Sequence, residues 1–157
     1  MIQDKLIRLC PLFSNVAIEC VSDMFSKSCE IKMPWKVVEH LQGQFDRILT
    51  IGSSSNKFKA VTIAGIQHDS LKAFIGQENI STAYASDVLG EFVNTFIDKL
   101  TNHEEFQIKF GTFTQSVPVI YTKGHSYLSF NWGIEGYIYI GIHWVYIGYS
   151  ITEKMLG

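Results

Sequence analysis

Four polar side chains recur at helical spacing within residues 81–101 and are the chain's strongest candidates for chemistry. They are Asp87, Glu91, Asn94 and Asp98, at positions i, i+4, i+7 and i+11. At about 100° per residue, these positions fall on one side of an α-helix. No lysine or arginine occupies the i+4 positions that usually compensate such charges. We therefore expect an acidic helix face that is hydrated or that binds a partner.

The residue types narrow the chemistry that this face can perform. A general acid–base pair uses two converging carboxylates, whereas the amide of Asn94 neither takes up nor releases a proton at neutral pH. An amide can donate and accept hydrogen bonds at once, so Asn94 is suited to holding a water molecule in line with a phosphorus atom. The alternative is an ordinary amphipathic surface helix, which always has a polar face.

The opposite side of the same segment is apolar and needs a sheet or another helix to cover it. Its members are Leu89, Phe92, Val93, Phe96, Ile97 and Leu100. Ser81 or Thr82 is the expected N-cap of the helix. Gly90 lies beside Glu91 and costs up to about 1 kcal/mol relative to alanine in a helix interior. This cost indicates that something passes close to the backbone at Gly90.

The pattern Asp87-x-x-x-Glu91-x-x-Asn94 on a long helix, with Pro118 further along the chain, resembles the signature of the CheC/CheX/FliY family of chemotaxis phosphatases. The single copy of the signature and the short chain are most similar to the CheX members. Element order resembles the family over nearly the whole chain, but close residue matching is confined to this helix. The resemblance implies an α+β, CheC-like fold, with an antiparallel-rich sheet packed against helices and a pseudo-twofold repeated α-β-β-β unit.

The resemblance also implies a reaction and a partner. The substrate would be the aspartyl phosphate of a CheY-like response regulator in a chemotaxis or two-component pathway. Glu91 would dock on a receiver lysine and Asn94 would orient the attacking water, with Asp87, Asp98 and Gly90 in the docking face. Mg²⁺ is expected in the receiver, and no cofactor or metal is expected in this chain. The alternative is a non-catalytic module that binds a receiver domain or a flagellar-switch component through the same face.

Composition sets further bounds on function. The 157 residues fit one domain, 1–157, and 46% hydrophobic with 13% aromatic residues is ample for a packed core. A formal charge of −2 with scattered lysines and arginines predicts no basic patch for nucleic acid or an anionic membrane. No apolar run reaches the length of a membrane span, and Asp4, Lys5 and Arg8 interrupt the N-terminal segment. We expect a cytoplasmic protein.

Cysteines and histidines give no recognisable site. Cys10, Cys20 and Cys29 are odd in number and lack metal-ligand spacing, so we expect reduced, buried thiols. Four of the five histidines would be the candidates for a small-molecule phosphatase or hydrolase, but they share no nucleophile or metal spacing. They are His68, His103, His125 and His143.

Periodicity and turn residues assign the remaining elements. The first helix is expected after Pro11, from Ser14 or Asn15 to about residue 27, and residues 1–10 can add a short preceding turn of helix. The rest of the N-terminal half is expected to contain a short strand at 29–34, a loop or short helical stretch at 35–44, and a hairpin of strands 45–51 and 58–65 around 52–56. The C-terminal half is expected to contain helices 69–75 and 81–101, strands 106–113 and 117–121, and a hairpin of strands 125–132 and 137–151 around 133–136.

This order suggests that an α-β-β-β unit is used twice. In the first helix, Asn15-x-x-x-Glu19-x-x-Ser22 stands where a second signature would be. Serine replaces the amide there, so we interpret this segment as a degenerate copy without chemistry.

The strand at 137–151 is apolar or aromatic on both faces. One face is expected to comprise Ile138, Ile140, Ile142, Trp144 and Tyr146, and the other Tyr137, Tyr139, Val145, Ile147 and Tyr149. One face would cover helices, and the other would be an exposed patch unless a second subunit covered it. CheX-like proteins are described as dimers joined through their sheets, so we expect a homodimer. The alternative is a central strand buried on both faces within one subunit.

Overall fold

The structure is a computed structural model that describes residues 1–115, 119–122, 126–129 and 131–155. The helices in this part of the chain are α1 (Ile2–Phe25), α2 (His68–Ile75), α3 (Thr82–Thr101) and α4 (Glu104–Phe110). The strands are β1 (Lys36–Val38), β2 (Leu41–Gln44), β3 (Arg47–Ser54), β4 (Phe58–Ile66), β5 (Thr114–Gln115), β6 (Val119–Thr122), β7 (Ser126–Ser129), β8 (Gly133–Ile140) and β9 (His143–Glu153).

Seven strands form one antiparallel sheet in the order β1-β8-β9-β4-β3-β5, and β6 also pairs with β3. The strands β2 and β7 form a separate two-stranded sheet. Helices α1 and α3 pack against each other and on one face of the large sheet, α1 on β8 and α3 on β3 and β4. The α+β class, with an antiparallel sheet packed against helices, is confirmed.

The large sheet is built from two copies of one unit. The first is α1-β1-β3-β4 and the second is α3-β6-β8-β9. The hairpins β3–β4 and β8–β9 pair with each other through β4 and β9 at the centre. The first strand of each unit pairs with the hairpin of the other, β1 with β8 and β6 with β3. This arrangement is the repeated α-β-β-β unit that the element order predicts.

The sheet buries both of its faces at the centre. The main core lies between the helices and the sheet, and a smaller cluster lies on the other face, beneath β2. That cluster comprises Leu41, Phe45, Ile48, Ile63 and Tyr146. Tyr146 is only 1% exposed, so residues of the same chain cover the centre of the outer face. This is the single-subunit alternative considered from the sequence, and it removes the exposed patch from which we predicted a homodimer.

Helix α1 differs from its prediction at its start. The expected N-cap at Ser14 or Asn15 is wrong, because α1 begins at Ile2 and continues through Pro11. The hydroxyl of Ser14 donates to the carbonyl oxygen of Pro11 at 3.1 Å and caps nothing. A proline inside a helix costs about 3 kcal/mol. An apolar face that is buried on both sides of the proline offsets this cost, and it comprises Leu6, Leu9, Leu12, Phe13, Val16, Ala17, Cys20 and Val21.

The segment between α1 and β3 is also different. The strand expected at 29–34 is reduced to one bridge, in which Glu30 and Tyr139 exchange two backbone hydrogen bonds of 2.9 Å. Pro34 has no N–H to donate, and regular pairing begins only at β1. The loop or helical stretch expected at 35–44 is wrong, since β1 and β2 occupy it.

The strand expected at 106–113 is the helix α4. Phe106 and Phe110 are buried and stand one helical turn apart, whereas Ile108 is 75% exposed. A pattern of i, i+2 and i+4 fits a strand, but its first and last members also share a helix face. His103 caps this helix, because its Nδ1 accepts a hydrogen bond from the N–H of Glu105 at 3.2 Å.

The last hairpin turns at Gly141 and Ile142, and the turn expected at 133–136 is wrong. Gly141 has a φ of 60°, which glycine adopts without strain. Gly136 lies instead inside β8, where a Cβ atom would overlap the ring of Trp35. The glycine of this segment therefore serves close packing and not a turn.

The position of the turn changes which side chains share a face. The register pairs Tyr137 with Tyr146 and Ile138 with Val145, and paired residues lie on the same face. Ile138 therefore lies with Val145 in the helix-side core, and Tyr137 lies with Tyr146 on the outer face. The sequence analysis placed Ile138 on the face of Tyr146 and Tyr137 on the face of Val145, and both groupings are wrong. Ile142 belongs to neither face and is 83% exposed in the turn.

The remaining predictions have mixed outcomes in the described parts of the chain. The β3–β4 hairpin and the helices α2 and α3 lie where expected, with Gly76 (φ 81°) ending α2. The sequence analysis placed 125–132 in the last hairpin, but β7 pairs with β2 instead. All three cysteines are free, Cys20 buried and the other two half-buried. Pro118 and His125 lie outside the described residues. Among the residues described, no helix is long and apolar enough to span a membrane.

Candidate partner-binding site on helix α3

Helix α3 is held firmly at both ends and along its buried face. The hydroxyl oxygen of Ser81, the N-cap, accepts a hydrogen bond from the N–H of Tyr84 at 3.1 Å. At the other end, the amide of Asn102 donates to the carbonyl oxygen of Asp98 at 2.9 Å. The six apolar residues predicted to form its inner face are all at most 2% exposed. The helix therefore presents its outer face from a fixed position.

The outer face carries every site residue that the sequence predicts. Asp87, Glu91, Asn94 and Asp98 are exposed. Together with Gly90 they line one open depression of about 520 Å³ on the surface of α3. Leu49 of β3 and Ser86 and Thr95 of α3 complete its lining. The structure thus brings together all five candidates in one concave surface.

Most of the polar groups in this depression have no partner within the part of the chain that the structure describes. Neither a hydrogen bond nor an ion pair engages the side chains of Asp87, Glu91 or Asn94 there. Asp98 differs, because its Oδ1 accepts a hydrogen bond from Nε2 of Gln115 at 2.7 Å. Three side chains are therefore available to an external partner, and two of them carry uncompensated negative charge.

Gly90 is not required by packing inside the chain. A Cβ atom at this position would lie 3.5 Å from Cδ1 of Leu49, which is an ordinary van der Waals distance. The space above the residue is open to the depression. The close approach that the sequence indicates at Gly90 is therefore not made by the described residues of this chain.

Arg47 is a neighbour of the site that the sequence analysis missed. It opens β3 beneath the first turns of α3 and is 6% exposed. Its Nη1 donates to the hydroxyl oxygen of Ser86 at 3.0 Å and to the carbonyl oxygen of Thr82 at 3.4 Å. Its Nε has no hydrogen-bond partner in the described part of the chain, and burial lowers the pKa of the guanidinium. A lone arginine within the apolar run 45–51 is the signal that could have found it.

The degenerate copy in α1 is engaged within the chain. The Nζ atom of Lys99 lies 2.9 Å from Oε1 of Glu19 and 3.4 Å from Oδ2 of Asp23. The hydroxyl of Ser22 lies 3.3 Å from Sγ of Cys29. The carboxylate that corresponds to Glu91 is therefore neutralised by a lysine of this same chain.

The histidines do not assemble a site in the described ranges. His103 caps α4, and Nδ1 of His143 lies 3.3 Å from the hydroxyl of Ser70. His68 begins α2, where its backbone N–H donates to Oδ2 of Asp46 at 2.9 Å. No group of three or more histidine, cysteine, aspartate or glutamate side chains gathers within metal-binding reach in those ranges.

Solved structures with the same fold come from chemotaxis and flagellar proteins. The chemotaxis protein CheX from Desulfovibrio desulfuricans matches with a TM-score of 0.74 at 13% identity, over 92% of this chain and 99% of that one. A chain of the CheX–CheY–BeF₃–Mg²⁺ complex from Borrelia burgdorferi matches with a TM-score of 0.56 at 10% identity, over 90% and 96%. The middle domain of FliM from Vibrio alginolyticus matches with a TM-score of 0.57 at 8% identity, over 96% and 93%.

No protein-family model and no curated protein matches the chain. The likeness to these structures extends over 90–96% of this chain. The resemblance drawn from the residues of that helix is confirmed at the level of the fold. The chain has the CheC/CheX fold.

Proposed function

We propose that this chain hydrolyses the aspartyl phosphate of a CheY-like response regulator. The observation that carries the proposal is the depression on α3, where Asp87, Glu91 and Asn94 are exposed and without partners in the described residues. These residues stand in the pattern of the CheC/CheX signature on a chain with the CheC/CheX fold. A structure of that fold is a complex of CheX with CheY, which supports a receiver as the partner.

Asn94 orients the attacking water in this proposal. Its side-chain oxygen accepts a hydrogen bond from the water, which points a lone pair of the water oxygen at the phosphorus. The water oxygen bonds to phosphorus as the bond between phosphorus and the aspartyl oxygen breaks, and the products are inorganic phosphate and the receiver carboxylate. Positioning of this kind supplies much of the rate enhancement in phosphoryl transfer.

Glu91 and the two aspartates bind the receiver. Glu91 pairs with the receiver lysine, and the receiver also supplies the Mg²⁺ that neutralises charge on the phosphoryl group. Asp87 and Asp98 stand eleven residues apart, about 16 Å along the helix axis, and extend the contact on both sides of Glu91. Gly90 lets the receiver backbone approach the helix between them. The chain acts in the cytoplasm, together with its receiver.

The first test is the decay of a phosphorylated CheY-like receiver in the presence of Mg²⁺. We expect the natural chain to accelerate decay and Asn94→Ala to lower that acceleration by about a hundredfold or more, as for the loss of one positioned transition-state group. Asn15→Ala is the matched control, since it removes an exposed helical asparagine from the α1 copy. Equal turnover by Asn94→Ala and the natural chain would contradict the assigned role of Asn94.

A second candidate function is a non-catalytic module that binds a receiver or a flagellar-switch component. The FliM middle domain has this fold, and this likeness favours the alternative. Such a module would bind the phosphorylated receiver without accelerating its decay. Parallel measurement of binding and decay separates the two functions, since only the phosphatase changes both.

The homodimer expected from the sequence is part of the proposal, on narrower grounds. Tyr137, Tyr139 and Trp144 stay half-buried on the outer face of the sheet, beside the cluster around Tyr146. A second subunit would cover these rings. Light scattering at micromolar concentration tests this point, and a monomeric mass would contradict it.

A further inference from the structure

A second and larger depression opens at the end of the large sheet, away from the outer face of α3. The tip between β3 and β4, the end of α4, the end of β9 and the start of α1 surround it. Its cavity volume is about 950 Å³. Small-molecule sites in proteins enclose about 300–1,000 Å³, so this space is large enough for a ligand of moderate size.

Lysines are most of the charged residues that line this depression. Lys5, Lys57, Lys109 and Lys154 all contribute to it, and Glu153 is the one carboxylate residue in the lining. These lysines are far apart in the sequence, and the topology gathers four of the chain's thirteen basic residues at one place. The sequence analysis, which treated the lysines as scattered, did not identify this group.

The chain's own contacts hold Lys5 in place without neutralising it. Nζ of Lys5 lies 5.6 Å and 5.7 Å from the ring centroids of Phe58 and Phe110. It also donates to the carbonyl oxygen of Lys109 at 3.4 Å. Ring faces and a carbonyl oxygen attract an ammonium group but carry no net charge. Lys5 is thus fixed at the wall of the depression with its charge intact.

A backbone hydrogen bond brings two more of the lysines together. The N–H of Lys154 donates to the carbonyl oxygen of Lys57 at 2.7 Å, so their side chains leave neighbouring points of the backbone. Among the described residues, the ion pairs join Lys99 to Glu19 and Asp23, and none involves a lysine of the depression. Four lysines and one glutamate, Glu153, line the depression, so its net positive charge favours an anion placed within it.

Lysines on a flat surface are normally hydrated and screened by salt, so a flat cluster of lysines would attract an anion only weakly. Here the lysines surround a concave space whose lining also includes the neutral hydrogen-bond donors of Asn56, Gln107 and Thr112. Tryptophan, tyrosine and arginine, the residue types enriched at the hot spots of protein–protein contacts, do not occur in the described lining. The combination fits a small anion better than a protein surface.

We propose that this depression binds a small polyanion that carries at least two phosphate or carboxylate groups. The ammonium groups of Lys5, Lys57, Lys109 and Lys154 supply charge, and the neutral donors orient the anion. The inference is independent of the proposed phosphatase activity, since no residue of the acidic face of α3 lines this space.

Isothermal titration calorimetry of the full chain with inorganic pyrophosphate tests the proposal. A parallel titration with citrate tests binding of a polycarboxylate, and NaCl keeps the ionic strength constant in both. We expect one saturable site for at least one of the two anions. Lys57→Gln and Lys109→Gln should each weaken binding by about fivefold or more, as expected for losing one charge contact of roughly 1 kcal/mol.

Lys59→Gln is the matched control for these variants. Lys59 is exposed, it follows Phe58 in β4, and strand alternation places its side chain on the other face of the sheet. The substitution removes the same charge, so general electrostatics predicts the same loss, whereas a site in the depression predicts less than about a twofold change. Absence of saturable binding by either anion, or equal weakening by Lys59→Gln, would overturn the proposal.

Discussion

Gln115 of β5 donates a hydrogen bond from Nε2 to Oδ1 of Asp98 on α3 over 2.7 Å. This contact ties the last member of the acidic face to a strand that pairs with β3. In the proposed docking face Asp98 would have two roles, as a negative charge and as a side chain of fixed orientation, and this contact allows them to be separated. A single substitution can test which of them matters.

Asp98→Asn keeps an oxygen that accepts from Gln115 but removes the charge. We expect binding of a phosphorylated receiver to weaken by about threefold to tenfold at low salt, and the difference to shrink in high salt. Titrations at two salt concentrations measure this effect. Gln115→Ala is the companion variant, because it keeps the charge of Asp98 but removes the hydrogen bond that fixes its side chain. A larger loss of receiver binding from Gln115→Ala than from Asp98→Asn would show that the orientation of the Asp98 side chain matters more than its charge.

Gly90→Ala should stabilise the protein and impair its proposed activity at once. Alanine is favoured over glycine in a helix interior by about 0.5–1 kcal/mol, and the added Cβ meets only Cδ1 of Leu49, at 3.5 Å. Thermal unfolding should therefore shift to higher temperature. If a receiver approaches the helix backbone, acceleration of phosphate decay should fall by about fivefold or more, because a methyl group overpacks the contact. Undiminished turnover would remove Gly90 from the docking face.

The contact between Arg47 and Ser86 predicts a coupled effect on stability. Ser86→Ala removes one of the two acceptors of a buried guanidinium and should lower the free energy of unfolding by about 1–3 kcal/mol. In an Arg47→Met background the same change should cost little, because no buried charge remains to be satisfied. Urea unfolding of the four proteins in this double-mutant cycle gives the coupling energy. Equal effects of Ser86→Ala in both backgrounds would exclude the coupling.

Ser22→Asn should not create a second active face on α1. The substitution restores the signature asparagine, but Glu19 remains paired with Lys99 at 2.9 Å and is not free to bind a receiver. We expect Ser22→Asn in the Asn94→Ala background to show no more activity than Asn94→Ala alone, within about twofold. Receiver decay measures this directly. Recovered turnover would show that the α1 copy retains function.

Cys20 should make folding stability fall at alkaline pH. Burial raises the pKa of this thiol from 9.0 to about 11, and the ammonium group of Lys99 offsets part of the rise. The folded state favours the neutral thiol. Its stabilising contribution is therefore complete below pH 9 and is lost as the pH rises towards about 11.

Urea unfolding of the natural chain and of Cys20→Ala, on both sides of this range, checks the prediction. Burial also raises the pKa values of Cys10, Tyr137 and Tyr149, but those groups are present in both proteins. The difference between the two proteins thus reports Cys20 together with its electrostatic coupling to Lys99. Parallel loss of stability in both proteins would contradict the assignment.

The sequence predicted the acidic face well because α3 satisfies several local rules at once. Ser81 caps the helix, a continuous apolar stripe is buried, and Asn102 ends it. Each signal is local in the chain and agrees with the others. Arg47 and Gln115 could not be found in the same way, because their contacts with α3 join residues 39 and 17 positions apart.

The errors arose where one pattern fits two structures. Phe106, Ile108 and Phe110 alternate like a strand, but the exposure of Ile108 shows that only the helical spacing is buried. Gly136 has the composition of a turn residue, whereas its role is to make room for Trp35, which lies about a hundred residues earlier. Local sequence cannot separate these alternatives, since the deciding contact comes from another part of the chain.

The exchange of first strands between the two units has a consequence for folding. Because β1 belongs to the first unit but pairs in the second, and β6 does the reverse, neither unit can complete its hydrogen bonding alone. An isolated half would leave open sheet edges and an uncovered apolar face on its helix. The two halves are therefore expected to fold and unfold together as one cooperative unit, despite their internal symmetry.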